Sequence, residues 1–141
     1  MFNSMINKED VPAFFLKILG AVFLLRLALA AWLPMSGDEA YFIVWGNNLD
    51  YGYYDHTPVV GWLLAALLSV SDATLWLRLP SVILPIFIAY GIFRILQPRL
   101  PDVAAWVALA YLVAPVNVVN ILITTDTPLI FFSFVSAWFF Y

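Results

Sequence analysis

Long apolar runs broken by short polar turns set the outline of the chain. The run from Ala13 to Leu33, with Lys17 near its start and Arg26 inside it, predicts a first membrane span over about 13–34. A second span is expected over 74–96, bent at Pro80 or Pro85. A third follows over about 103–120, and a fourth opens at Pro128, after the polar turn Thr124-Thr125-Asp126-Thr127, and runs to 141. That last run falls short of the roughly 20 residues a spanning helix needs. It also stops without a charge or a turn signal, so residues 1–141 are expected to be the N-terminal part of one longer transmembrane domain.

One long interruption, residues 35–73, separates the first two spans. Ser36-x-x-Glu39 reads as a capping box for a short helix reaching about Leu49. Tyr41, Phe42, Trp45 and Leu49 fall at helical spacing on one face, the pattern of a helix lying in the membrane surface with its aromatic side down. Beyond the turn-rich Asp50 to His56, Thr57 caps and Pro58 starts a second helix to about Val70, too short to span. The predicted fold is an all-α polytopic membrane protein with two interfacial helices in its first external loop.

Composition agrees with that outline. Hydrophobic residues make up 65% of the chain and charged ones 11%, against roughly 25% charged in soluble domains. Six basic residues and a net charge of −3 exclude a nucleic-acid partner, which needs a basic surface. The absence of cysteine removes thiolate chemistry and disulfides. Lys8, Lys17, Arg94 and Arg99 flank the ends expected in the cytoplasm, so the N-terminus is expected inside, with loop 35–73 and the Asp126 turn both outside. A cleavable leader ending at Ala28-Leu29-Ala30 is the rival to a first span, but Arg26 lies within what would be its uncharged core.

Candidate chemistry gathers in the interruption, where Asp38, Glu39, Asp50, Asp55 and His56 stand together without Lys or Arg. A carboxylate at the membrane surface beside aromatics suits a general base, which is one reading of Asp38 and Glu39; the other is that both simply favour a helix N-terminus. Asp55-His56 offers an oxygen and an imidazole for a divalent metal or a phosphate, or else a plain turn before the next helix. Asp126 either favours the helix dipole that follows or faces the same side as the loop acids. Arg26, deep in span one, is functional by default or snorkels; Arg78, near the outer end of span two, is placed to reach a lipid phosphate. Tyr51, Tyr53, Tyr54 and Trp62 read as an interfacial aromatic belt or as a sugar platform.

Gly37-Asp38-Glu39-Ala40-Tyr41 after the first span, Tyr53-Tyr54-Asp55-His56-Thr57-Pro58 before an apolar helix, and Thr125-Asp126-Thr127-Pro128-Leu129 opening a later span occur in an order that resembles a known series. It is that of the GT-C membrane glycosyltransferases of family 39, which include protein O-mannosyltransferases and lipid A aminoarabinose transferases. The resemblance implies a GT-C-like fold and an inverting transferase that moves a hexose or pentose from a polyprenyl-phosphate sugar to a lipid, glycan or protein acceptor. The reaction would take place on the outer or lumenal face, in bacteria of the inner membrane. It implies Asp38 as catalytic base with Glu39 its acidic neighbour, Asp55 as ligand to a divalent metal ion, His56 on the donor phosphate, and Asp126 as a cavity acid. Here His56 stands where the family has Lys, and Thr57 where it has the first of two prolines. A flippase or transporter of lipid-linked sugars, or a non-catalytic membrane subunit, is the competing expectation.

Overall fold

The structure, a computed structural model, describes residues 11–54 and 56–140. Lys8 and Asp55, on which part of the topology and the metal expectation rest, lie outside them. The described residues form only helices: α1 Val11–Trp32, α2 Gly37–Asn47, α3 Val59–Leu68, α4 Thr74–Leu96, α5 Pro101–Val113, α6 Pro115–Val119 and α7 Asp126–Phe139. Of these, α1 and α4 are long and apolar enough to cross a membrane. The fold is that of a polytopic, all-helical membrane protein.

The α1 and α4 boundaries agree with the hydrophobic runs to within two residues. The third expected span does not form as one helix. Pro115 pushes Ala114 out of the helical region, to φ −56° and ψ 136°, and the run divides into α5 and α6. At 13 residues, α5 is only about 20 Å long, short of the roughly 30 Å hydrocarbon core. Pro80 and Pro85, by contrast, both sit inside an unbroken α4.

Two apolar clusters hold the helices together. Phe15 and Leu19 of α1, Ala89 and Phe93 of α4, and Ala104, Ala105, Ala108 and Leu112 of α5 form one of them. The alanines let α5 approach closely, and Phe15 stacks on Phe93 with ring centroids 4.2 Å apart. The second cluster joins α2 and α3 to the start of α4 through Phe42, Trp45, Val60, Leu64, Leu77 and Ile123. Gly46 makes this crossing possible, since a β-carbon there would come within 2.9 Å of Leu64 Cβ. The buried stripe of α2 therefore runs through Glu39, Phe42, Trp45 and Gly46, while Tyr41 and Leu49 of the expected face are exposed. The helix ends at Asn47, and its buried side is chosen by α3 and α4.

Prolines also decide where the buried arginines go. In a helix the N–H of residue i+4 bonds the carbonyl of residue i, and proline has no N–H. Pro85 thus cannot serve the Ser81 carbonyl, and Pro34 cannot serve that of Ala30. Arg26 Nη2 donates to Ser81 O at 2.8 Å, and Arg78 Nη1 donates to Ala30 O at 2.7 Å. Arg26 further donates to Asn117 O (2.7 Å) and Asn120 O (3.1 Å), binding the broken third segment to α1 and α4. With no water in the hydrocarbon, each of these carbonyls would otherwise be a costly orphan.

We expect Arg26→Met to destabilise the protein by on the order of 3 kcal/mol through the loss of these bonds. Pro85→Ala supplies Ser81 O with its own helical donor, so the same substitution should cost less in a Pro85→Ala background. Thermal unfolding of the four variants checks this, and equal costs in both backgrounds would refute the Ser81 contribution.

Candidate functional site

Ser36 caps α2 as its spacing predicts. Its hydroxyl accepts from Glu39 N at 3.2 Å, and Glu39 Oε2 accepts from Ser36 N at 2.9 Å, closing the capping box. Glu39 does more than cap. Arg78 of α4 meets it in a two-pronged pair, Nε to Oε1 and Nη2 to Oε2, both at 2.7 Å, and neither side chain has any exposed surface. Oε1 also accepts from Ile123 N at 3.0 Å.

Both partners are saturated. The four acceptor sites of a carboxylate are filled by Ser36 N, Ile123 N and the two Arg78 donors. The five N–H groups of Arg78 go to Glu39 twice and to Ala30 O, Leu33 O and Pro34 O, the carbonyls at the end of α1. No N–H of Arg78 is left for a lipid phosphate in this arrangement, and no lone pair of Glu39 for a substrate. Burial acts to raise the Glu39 pKa. The hydrogen bonds from Arg78, those from the Ser36 and Ile123 backbone, and the charge of Arg78 together outweigh it, so the carboxyl sits below its ordinary range.

The acids this pair positions are exposed. Asp38 lies in the first turn of α2 next to Glu39, and Asp126 is the first residue of α7, just after the segment that Glu39 holds through Ile123. Glu39 thus binds the turn carrying Asp38 to the segment leading into Asp126. His56 is partly buried, its ring against Trp45 (5.7 Å) and Phe42 (6.1 Å). It therefore belongs to the same α2–α3 unit as Asp38.

The aromatics divide by role. Tyr53 stacks on Trp45, centroids 4.3 Å apart and planes within 3°, and its hydroxyl donates to Trp45 O or Asn48 O at the end of α2. Trp62 Nε1 donates to Asp50 O. Both hold the loop in shape, whereas Tyr51 and Tyr54 are 94% and 100% exposed. Below the loop, a cavity of about 560 Å³ runs between α3, α4 and α7 with a wholly apolar lining that includes Val59, Leu67, Trp76, Pro80, Pro128 and Phe131. Among the described residues no group of three His, Asp or Glu side chains comes together, and Asp55, the expected metal ligand, lies outside them.

A family profile described as dolichyl-phosphate-mannose-protein mannosyltransferase matches residues 55–141, more than half of the chain. The chain belongs to that family. The match to this mannosyltransferase family takes in His56, Arg78 and Asp126 and begins beyond Asp38 and Glu39. A lipid A galacturonosyltransferase of Rhizobium johnstonii is 31% identical over 99 residues, which cover 67% of this chain and 21% of the relative. The chain therefore spans about a fifth of the length of that curated relative. No solved structure matches it significantly.

The buried pair makes a prediction about pH. A carboxyl whose folded pKa is depressed contributes stability above its unfolded value, near 4.3, and loses it as pH falls through the lower folded value. The unfolding midpoint should therefore hold steady above about pH 5 and drop below it. Glu39→Gln should cost on the order of 3 kcal/mol at neutral pH and flatten the acid limb, as thermal melts across pH will reveal.

Proposed function

We propose that the protein is a membrane glycosyltransferase that uses a polyprenyl-phosphate-linked sugar, with residues 1–141 forming the N-terminal part of its transmembrane domain and Asp38 acting as general base. The observation that carries this reading is the Ile123–Glu39 bond, because it joins the turn of exposed Asp38 to the segment that opens at exposed Asp126. Two acids far apart in sequence are thereby held on one rigid frame. Membership of the family supports the lipid-linked donor, and the similarity to a lipid A galacturonosyltransferase supports a lipid acceptor.

In this reaction the Asp38 carboxylate takes the proton of an acceptor hydroxyl as that oxygen bonds the anomeric carbon. The bond from that carbon to the donor phosphate breaks, and the polyprenyl phosphate leaves with the electron pair. In-line displacement inverts the anomeric centre. His56 lies on the same unit as Asp38 and is the described side chain proposed to contact the phosphate. Glu39 and Arg78 act as a positioning pair, since their hydrogen-bonding capacity is spent within the protein. The apolar cavity that begins at Val59 and Pro128 suits the hydrocarbon tail of the donor. The loop and the Asp126 turn face the periplasmic or lumenal side in this reading, following the basic residues Arg94 and Arg99 at the opposite ends of the spans.

A flippase would use charges within the bilayer as its path. Arg78 is spent on protein partners, and both Nη groups of Arg26 bond backbone carbonyls, which favours the transferase.

Asp38→Asn in the full-length protein should lower sugar transfer by about 10²–10⁴-fold while leaving the unfolding midpoint unchanged. Release of polyprenyl phosphate from a radiolabelled polyprenyl-phosphate sugar in membranes measures it. Wild-type turnover by the variant would remove Asp38 from the base role, and label that crosses the membrane uncleaved would identify a flippase.

A further inference from the structure

A second polar cluster lies away from the acids, where α4, α5, α6 and α7 meet. Leu84, Pro85, Tyr111, Asn117, Asn120 and Thr127 are among the residues lining a cavity of about 10 Å³ there, the lower bound of the space one water needs. Asn117 and Asn120 are 2% and 3% exposed, and the Tyr111 hydroxyl is buried. Asn117 Oδ1, Asn120 Nδ2 and Tyr111 Oη make no hydrogen bond with any described residue. In an apolar surrounding, three such atoms on residues that line one cavity are each costly and together point to a ligand.

A bond to a backbone carbonyl fixes which way the Asn117 amide faces. Asn117 Nδ2 donates to Tyr111 O at 2.6 Å, leaving Oδ1 as the acceptor. Asn120 Oδ1 accepts from the Thr124 hydroxyl at 3.2 Å; since that hydroxyl can donate or accept, the open amide atom of Asn120 is a donor in one orientation and an acceptor in the other. The Tyr111 hydroxyl serves either way. The site thus presents one acceptor, one amide group and one hydroxyl. A cation would meet the nearby Arg26 guanidinium, which bonds the Asn117 and Asn120 carbonyls, and an anion would meet Asn117 Oδ1.

We propose that this cavity binds a single water molecule, which donates to Asn117 Oδ1 and bonds the Asn120 amide and the Tyr111 hydroxyl. Its place in the chain gives it a task. Pro115 breaks the third segment at Ala114, Arg26 takes the Asn117 and Asn120 carbonyls, and the water takes the side chains of the same two residues. Thr127, beside Asp126, lines the same cavity, so the water fills the joint between the broken segment and α7. The inference stands apart from the transferase reading, because it concerns the packing of α4 to α7 whatever the protein transfers.

A density map of the full-length protein, at a resolution that orders its other internal waters, should show a peak about 2.7–3.2 Å from all three atoms. A direct Asn117 Oδ1 to Asn120 Nδ2 bond, or a peak with a rubidium anomalous signal after a soak, would overturn the water. Tyr111→Phe, Asn120→Ala and the double variant provide a second readout that needs no activity. Partners sharing one water are coupled, so the double variant should lose clearly less in unfolding midpoint than the sum of the singles. Additive losses would overturn the proposal, and the mild Tyr111→Phe change keeps at least one arm foldable.

Discussion

Taking Glu39 and Arg78 out of water costs several kcal/mol per ion, and only a complete set of partners offsets that cost. The protein supplies the set from four places at once: the cap of α2, the end of α1, the start of α4 and the backbone at Ile123. The pair can persist only if these four segments stay together. Their convergence places the exposed Asp38 and Asp126 on elements that share one anchor. The contrast within Asp38-Glu39 follows from this geometry, with one acid held inside as anchor and its neighbour left exposed.

The same logic governs Arg26. A membrane helix with internal proline leaves a carbonyl that nothing in the hydrocarbon can satisfy, and an arginine with its fork of donors can serve several at once. Arg26 serves Ser81 O on α4 and two carbonyls on the far side of the Pro115 break. Intramembrane charge here supports the backbone. Arg26, Asn117, Asn120 and Thr127 then form a buried polar group inside an apolar bundle.

Much of the frame was legible in the chain. The α1 and α4 runs are long enough to overwhelm other signals, and the Ser36-x-x-Glu39 spacing carries its own local mechanism, so both appeared where expected. Pro115 also held a readable signal, since the residue before proline leaves the helix, yet the continuous apolar run from 103 to 119 concealed it. The exposed side of Tyr41 and Leu49 was harder to foresee. Periodicity gives a helix an apolar face, but which residues are buried depends on the neighbour, and α3 arrives through Gly46.

The sequence by itself determined the helical class, the apolar spans, the capped entry of α2 and the acids available to a site, because those follow from local periodicity and chemistry. Only the tertiary structure decided which charges are free and which are spent. The capping box singles out Glu39 locally, but nothing local tells that it must also pair with Arg78, or that Arg78 must close the end of α1 where Pro34 cannot. Those assignments depend on groups brought together from residues 30 to 123, and the desolvation that makes them binding exists only once the helices have packed.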